Sequence, residues 1–245
     1  MKSHRFDMVY LIVGSLAAWE VTSLLVGGTL TPPLETLARA GSLVVSKPFW
    51  IQAEATAHTL FFACAIVFGG GLAAGSLIGS SRLASDVVEP ILTPMYAIPK
   101  IALYPIILLI FGLSPLATIV FAAIHGIFPV MIFTIAGLRK IKPIYVHTAR
   151  VMRLTRFRTI VSVLLPAALP EIVAGLRVGF ATTLFGALIA ELFASTGGLG
   201  FMLIRATDNH NMTDVMAITV LLFVFAILAN SLISRLEVHV RHSKL

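Results

Sequence analysis

The sequence predicts an all-α, polytopic membrane protein with six transmembrane helices and a short cytoplasmic helix between the fourth and the fifth. Composition is the first reason. Of the 245 residues, 58% are hydrophobic and only 12% are charged, with a mean hydropathy of +0.98, whereas a soluble domain carries roughly twice that share of charge. Length is the second reason. At about 20 apolar residues per span, the chain has room for roughly five to seven helices and no large soluble domain.

The distribution of basic residues is the third reason. With the N-terminus in the cytoplasm, the segments outside the membrane contain only Arg39, Lys47 and Arg205. The inside segments contain Lys2, Arg5, Arg82, Arg139, Lys140, Lys142, Arg150, Arg153, Arg156, Arg158, Arg235, Arg241 and Lys244. This bias follows the positive-inside rule, and it explains the net charge of +7 without any nucleic acid. We therefore expect both termini in the cytoplasm.

The first three spans follow from apolar runs and their breaks. Span 1 is residues 8–26, which is longer than a signal-peptide core and has no A-x-A site, so we expect a retained helix. A surface helix is expected at 34–45, ended by Lys47 and Pro48. Span 2, residues 53–78, carries closely spaced glycines that favour tight packing. After a polar loop at 80–89, span 3 covers residues 90–111, and Pro94, Pro99 and Pro105 inside it predict a broken or kinked helix.

The second half contains three more spans and two polar loops. Span 4 is residues 116–138, and a basic loop covers 139–166. Span 5 is residues 167–194, a glycine-rich polar loop covers 195–214, and span 6 is residues 215–236. No short-period repeat or linker divides the chain, so we expect a single transmembrane domain over residues 1–245.

The most cationic part of the chain is residues 145–166 of the basic loop. No acid occurs from Arg139 through Pro170. Tyr145, Ala149 and Met152 recur at helical spacing, which predicts an amphipathic helix at about 145–154 on the cytoplasmic surface. The alternative is a basic loop that only sets topology or touches anionic lipid. These residues by themselves do not decide between the two.

This stretch resembles the cytoplasmic coupling loop of ABC importer permeases, which reads E-A-A, three residues, G, nine residues, I-x-L-P. Residues 163–166, Val-Leu-Leu-Pro, fit the I-x-L-P end, and Ala149 fits the second alanine. The opening half departs from the pattern. His147 and Thr148 stand where Glu and Ala are usual, and Arg153 stands where Gly is usual.

Further motifs resemble the nitrate/sulfonate/taurine branch of these permeases, over nearly the whole chain. They are Arg82-Leu83, the IPKIALYP run at 98–105 with Phe111-Gly112, AGLR at 136–139 and 174–177, LPAALP at 165–170, and Glu191 with GLG at 198–200. Each motif is weak singly, and together they are specific. Glu171 stands where the family often has an aromatic residue.

The resemblance implies a division of labour. Two permeases, either two copies of one chain or two different chains, form the pathway in a bacterial inner membrane. Two cytoplasmic subunits bind ATP-Mg, and an extracytoplasmic binding protein delivers the solute. It also implies a coupling surface that enters a groove of the ATPase through its apolar side, Tyr145, Ala149 and Met152. The full set of coupling candidates is Tyr145, His147, Ala149, Arg150, Met152, Arg153, Leu154 and Pro166.

The chain itself shows no catalytic machinery. A P-loop needs G-x-x-x-x-G-K-[ST], because glycine amides and one lysine hold the phosphates, and no lysine here satisfies it. We therefore expect a non-catalytic subunit that binds no cofactor. Asp208, His210 and Asp214 are metal-ligand types, but no metal-binding spacing supports a site.

Charged and polar residues at membrane depth are candidates for function. Lys100, His125 and Glu191 are possible pathway or gate residues. The ordinary alternatives are an ion pair or snorkelling for Lys100, a packing role for His125, and for Glu191 a brace of the turn at 197–200.

Two other functions compete with an importer. An ion-coupled secondary carrier would use a relay of Glu20, Lys100, His125, Arg177 and Glu191. An enzyme acting on lipid head groups would need acids or histidines clustered at one membrane face, and the sequence shows none. The solute stays open among nitrate, sulfonates such as taurine, aromatic carboxylates and pyrimidine vitamin precursors.

Overall fold

The computed structural model describes residues 3–27 and 30–242, and no strand occurs within these ranges. The all-α prediction is confirmed. The α-helices are α1 (Ser3–Val26), α2 (Pro33–Val45), α3 (Lys47–Gly79), α4 (Arg82–Ala97), α5 (Tyr104–Phe111), α6 (Pro115–Arg139), α7 (Pro143–Val151), α8 (Arg156–Thr159), α9 (Leu165–Ala194), α10 (Leu199–Asp208) and α11 (Met212–His242). A 3₁₀ turn at Lys100–Leu103 precedes α5, and a π-helical turn at Ile160–Leu164 precedes α9.

The structure does not describe all of the basic residues on which the topology prediction depends. Lys2 and Lys244 lie outside the described residues, and the side chains of Arg5, Arg156, Arg235 and Arg241 are not described.

Four helical segments within the described ranges are long and apolar enough to cross a membrane: Lys47–Gly79, Pro115–Arg139, Phe157–Ala194 and Met212–Ser231. The pair formed by α4 and the segment Lys100–Phe111 is bent by 86° and makes a fifth span if it is counted as one. In the described part of α1, the apolar stretch is shorter and covers Val13–Val26. The predicted count of six stays a prediction.

Span 3 is broken, as its prolines predict, and the break lies at Pro99. The ring of Pro99 removes the N–H that would continue the helix. Ile98 before it is extended, with ψ at 137°, as a residue preceding proline prefers. Pro94 lies inside α4, whereas Pro105 lies in the first turn of α5, where a missing N–H breaks no intrahelical bond.

Three boundaries differ from the sequence prediction. The loop expected at 80–89 is wrong, because the Ser81 hydroxyl accepts a hydrogen bond from the Ala84 amide at 3.4 Å and starts α4 there. Pro48 lies in the first turn of α3, so the pair predicted to end the surface helix also begins the next one. The loop expected at 195–214 contains α10.

The centre of the bundle is α6, which packs between α3 and α9. Gly71, Gly75 and Gly79 of α3 recur every four residues and face Val130, Thr134 and Leu138 of α6. A Cβ on Gly75 would lie 2.8 Å from the Thr134 Cβ, closer than real side chains approach. These glycines therefore let the two helices meet almost backbone to backbone, which confirms the predicted thin face at these three positions.

The surface helix α2 is fastened to the start of α11. The Arg39 guanidinium donates hydrogen bonds to the Asp214 carboxylate, and this interaction raises the pKa of Arg39. Thr213 donates to the Glu35 carboxylate at 3.3 Å. Asp214 is thus engaged in a helix-to-helix contact, and no group of metal-ligand residues occurs in the described part of the chain.

Candidate functional site

The predicted amphipathic helix exists as α7, and its end explains one departure from the family pattern. Arg153 has a φ of +51°, the left-handed conformation that favours glycine. The Arg153 amide donates to the Arg150 carbonyl at 2.9 Å, and the Leu154 amide donates to the Ala149 carbonyl at 3.1 Å. These two bonds form a Schellman motif, in which the left-handed residue is usually glycine. The position where the coupling loop usually has Gly is therefore the left-handed end of the helix.

The side chains of α7 divide into a buried face and an exposed face. Ala149 is only 2% exposed and packs within this chain. The prediction that Ala149 lies on the outward apolar side together with Tyr145 and Met152 is therefore wrong. Helical spacing places the three residues within about 60° of one another around the helix, but Ala149 packs inward while Tyr145 and Met152 stay exposed at the edge of that face.

The exposed face instead combines α7 with the chain that follows it. We call this surface the tip patch and define it by five exposed apolar residues: Ile144, Tyr145, Val151, Met152 and Phe157. The helical run Phe157–Ala194 has 38 residues. At about 1.5 Å per residue it is about 57 Å long, nearly twice the ~30 Å hydrocarbon core. Part of that run therefore extends beyond the lipid.

Pro166 lies where this long helix changes geometry. Proline has no N–H to donate and its ring crowds the carbonyl four residues earlier, that of Ser162. The π-helical turn Ile160–Leu164 widens the helix at that point, and it is a common response to such a conflict. The I-x-L-P end of the motif is thus a wide turn followed by a proline at the start of α9.

Basic residues around α7 fall into two groups. Arg139 bridges Asp86 at 2.9 Å and Glu89 at 2.5 Å, both on α4. Lys140 pairs with Glu171 at 3.4 Å, which gives a structural reason for an acid at position 171. Among the described side chains, no ion pair engages Arg150, Arg153 or Arg158, and all three are exposed. The tip patch is therefore rimmed by uncompensated positive charge.

A polar cleft of about 800 Å³ opens beside α7. Its lining includes Arg82 and Asp86 of α4, Arg139 of α6, and His147 and Arg150 of α7. His147 thus faces the cleft between α7 and α4. Leu154 is half-buried behind the helix end.

Lys100 is buried at the break in span 3. Its ammonium donates to the Tyr96 carbonyl at 2.6 Å, and it lies 4.8 Å from the centre of the Tyr96 ring and 5.6 Å from that of Phe128. The helix break leaves the Tyr96 carbonyl without its usual amide donor, and the lysine supplies one. Lys100 is held by a carbonyl and two aromatic rings, and no salt bridge to it occurs among the described residues.

His125 is a packing residue in the middle of α6. Its Nδ1 lies 3.0 Å from the Phe121 carbonyl, and its ring contacts the Phe121 ring at 4.5 Å between centres. Gly186 of α9 lies directly against it, since a Cβ there would be 2.8 Å from the imidazole. Gly186 thus makes the space for this ring between α6 and α9.

Glu191 joins α9, α3 and the turn after α9. Its Oε2 accepts hydrogen bonds from the Thr56 hydroxyl and from the Gly200 amide, both at 2.9 Å. Thr56 in turn accepts from the Leu199 amide at 2.8 Å, and Gln52 of α3 accepts from the Gly198 amide at 2.7 Å. Glu191 therefore braces this turn against α3. Sequence reasoning missed Gln52 and Thr56, because they are more than 130 residues away.

The relay required by an ion-coupled carrier is not assembled among its three central members. The hydrogen bonds of Lys100, His125 and Glu191 end on backbone groups and on Thr56, and none joins two of the three. Arg177 donates to the Ser234 hydroxyl at 3.3 Å. Glu20 is exposed on α1. The three candidate pathway residues thus lie at separate places in the described structure.

Comparison with known proteins gives one family match and several relatives. The family described as "Binding-protein-dependent transport system inner membrane component" matches residues 58–242. A Bacillus subtilis protein named as an aliphatic sulfonates transport permease, SsuC, is 28% identical over 225 residues, covering 91% of this chain and 82% of that protein. The nitrate import permease protein NrtB of Synechocystis is 27% identical over 234 residues, covering 91% and 84%.

A third relative and a solved structure agree with these. The taurine transport system permease protein TauC of Escherichia coli is 28% identical over 221 residues, covering 84% of this chain and 79% of that protein. A chain of the inward-facing MetNI methionine ABC transporter has the same fold, with a TM-score of 0.67 at 22% identity. The match covers 80% of this chain and 99% of that one.

Proposed function

The chain belongs to the family of binding-protein-dependent transport inner membrane components, and within it to the nitrate/sulfonate/taurine branch of ABC importer permeases. From this membership we propose that two copies, or this chain and a paired permease, form the translocation pathway for a small oxyanion-bearing solute. A separate cytoplasmic ATPase drives the transport, and an extracytoplasmic binding protein delivers the solute.

The solute class follows from what the named relatives share. Their names give aliphatic sulfonates, nitrate and taurine. Each of these is small and carries a compact group of negatively charged oxygens. A permease of this branch therefore transports either a small inorganic oxyanion or a small molecule that ends in an oxyanion group.

The tip patch is the surface that we assign to the ATPase. Exposed apolar residues outside the lipid mark a protein contact when they form a continuous patch, and here Val151 is 83% exposed and Phe157 75%. The free guanidiniums of Arg150, Arg153 and Arg158 rim this patch, and they suit an acidic border on the partner. This combination of exposed apolar side chains and unpaired arginines is the observation that carries the proposal.

The buried face of α7 has a different task in this proposal. Ala149 holds the helix against its own chain, and the π-helical turn continues directly into α9. A push on the tip patch would therefore reach α9, which packs on α6 along its length, and alternate the exposure of the pathway. We propose that both termini lie in the cytoplasm with the tip patch, as the distribution of basic residues indicates.

The assembly test uses the full chain co-expressed with an ATP-binding subunit from a neighbouring reading frame. We expect Met152→Asp to abolish co-purification of that subunit, because a buried unpaired carboxylate would face the apolar groove. Met152→Leu keeps the apolar contact and serves as the matched control. Equal recovery of the ATPase with both variants would remove the docking role of the tip patch.

A further inference from the structure

A small cavity lies where α3, the turn before α6 and the turn after α9 meet. Its volume is about 130 Å³, whereas a single water needs about 10–15 Å³ on the same scale. Its polar lining consists of His58 and Thr59 of α3, Ser114 and Thr118 beside the start of α6, and Ser195 and Thr196 of the turn after α9. The cavity is large enough for a small solute and lies at the end of the bundle opposite α7.

The lining has a consistent chemistry. It contains five hydroxyls from three separate elements and one imidazole, and no acidic residue. The nearest acid of α9, Glu191, directs its Oε2 to Thr56 and to the Gly200 amide and does not line the cavity. A donor-rich wall without carboxylates favours a negatively charged oxygen over a cation.

Among the described residues, Thr59 presents an unpaired hydroxyl to the cavity. The residue is only 5% exposed, and no hydrogen bond to its hydroxyl occurs in the described part of the chain. Two of the other lining hydroxyls have partners within the chain: Ser114 donates to the Phe111 carbonyl at 2.9 Å, and Ser195 donates to the Gly197 carbonyl at 2.6 Å. Thr59 lines the cavity, so its hydroxyl is available to a molecule bound there.

The start of α6 supports the same charge preference. Ser114 caps this 25-residue helix, and Pro115 occupies its first turn. The N-terminal end of a helix carries a partial positive charge and attracts anions. The helix end, the imidazole of His58 and the free hydroxyl of Thr59 therefore converge on one small volume.

We propose that this cavity is a binding subsite for the oxyanion group of the transported solute, such as a nitrate, sulfonate or carboxylate. The proposal rests on the importer function and adds to it a selective site on the permease itself. Thr59 donates the specific hydrogen bond, and the α6 terminus supplies the positive potential. The solute would meet this site at the end of the bundle that faces the binding protein.

Thiol labelling tests the subsite directly, because Cys64 is the only cysteine in the chain. The full chain in nanodiscs carries Cys64→Ser together with Ala55→Cys, since Ala55 lines the cavity. An anionic sulfonatoethyl methanethiosulfonate reagent reports access to the new thiol. Sodium nitrate or ethanesulfonate at ten times its dissociation constant should slow labelling by about tenfold, as 1 + [L]/Kd requires. Choline chloride at equal ionic strength should leave the rate unchanged.

Two threonine variants separate binding from general effects. Thr59→Val removes the free hydroxyl with little change of shape, and it should reduce the tenfold protection to less than about threefold for the same 1 + [L]/Kd relation. Thr182→Val is the matched control, because the Thr182 hydroxyl donates within α9 to the Val178 carbonyl at 2.9 Å. That variant should keep the full protection.

The outcomes distinguish the subsite from the importer function. Absence of anion protection, or equal protection by choline chloride, overturns the subsite even if the assembled transporter shows ATP-dependent uptake. Undiminished protection in Thr59→Val overturns the role of that hydroxyl. Anion protection lost in Thr59→Val and retained in Thr182→Val supports the subsite, including when ATP-dependent uptake is absent and the importer function itself fails.

Discussion

Replacing Arg153 by glycine should stabilise the end of α7. Arg153 has a φ of +51° and supplies the left-handed turn that closes the helix. An L-residue in this conformation carries a strain of roughly 1–2 kcal/mol, which glycine avoids. Glycine also gives the unfolded chain more freedom, which offsets roughly 0.4–1 kcal/mol. We expect a net stabilisation of the helix end by about 0.5–1 kcal/mol.

Hydrogen exchange measures this difference locally. The Arg153 and Leu154 amides make the two closing bonds, and their exchange reports how often the helix end opens. Since 1.4 kcal/mol corresponds to a factor of ten, the protection of these amides should rise about 2- to 5-fold in Arg153→Gly. The measurement uses the full chain in nanodiscs with mass-spectrometric detection of the peptide that covers α7.

Arg150→Gly is the control for this experiment. Arg150 lies inside α7, where glycine costs about 1 kcal/mol relative to a good helix former. Its protection should therefore fall, whereas that of Arg153→Gly rises. If both variants lowered protection, the left-handed turn would not be what ends the helix, and the explanation for the usual glycine at this position would be refuted.

Three other substitutions follow from the packing. Glu191→Ala leaves the Gly200 amide and the Thr56 hydroxyl without their acceptor, so the thermal unfolding midpoint in detergent should fall by an amount equivalent to about 2–4 kcal/mol. Glu191→Gln keeps an acceptor oxygen and should lose less stability. An equal loss in both variants would contradict the bracing role. Gly75→Leu should prevent the close approach of α3 to α6, and the protein should elute as aggregate in size-exclusion chromatography. Gly69→Leu is the control, because a Cβ there meets open space, and it should elute like the unaltered protein. Identical elution profiles of the two variants would contradict the thin face. Lys100→Met should lower stability by about 1–3 kcal/mol, because the Tyr96 carbonyl loses its donor in a buried site, and an unchanged melting curve would show that another group replaces it.

Features set by local chemistry could be predicted from the sequence. The break at Pro99 follows from the missing N–H of proline, and the thin face of α3 follows from glycines four residues apart. The basic loop contained a short helix, as its apolar spacing indicated. The start of α4 could not be read from charge alone, because the Ser81 cap extends the helix through residues that look like a polar loop.

Features set by tertiary contact could not be predicted. Spacing places Tyr145, Ala149 and Met152 near one another on a helix, but only the packing of α7 shows that Ala149 faces inward. The ion pair between Lys140 and Glu171 joins two elements that are 31 residues apart. The brace around Glu191 depends on Thr56, which lies 135 residues away. In each case the partner lies on another helix, and no local pattern marks it.

The most direct test of the proposed function is uptake by proteoliposomes that contain this permease and its ATPase, supplied with the binding protein and a labelled nitrate or sulfonate. We expect solute accumulation that requires ATP and the ATPase subunit, and that Met152→Asp abolishes while Met152→Leu retains it. Accumulation driven by a proton gradient, without the ATPase or ATP, would contradict an ATP-driven importer and favour an ion-coupled carrier.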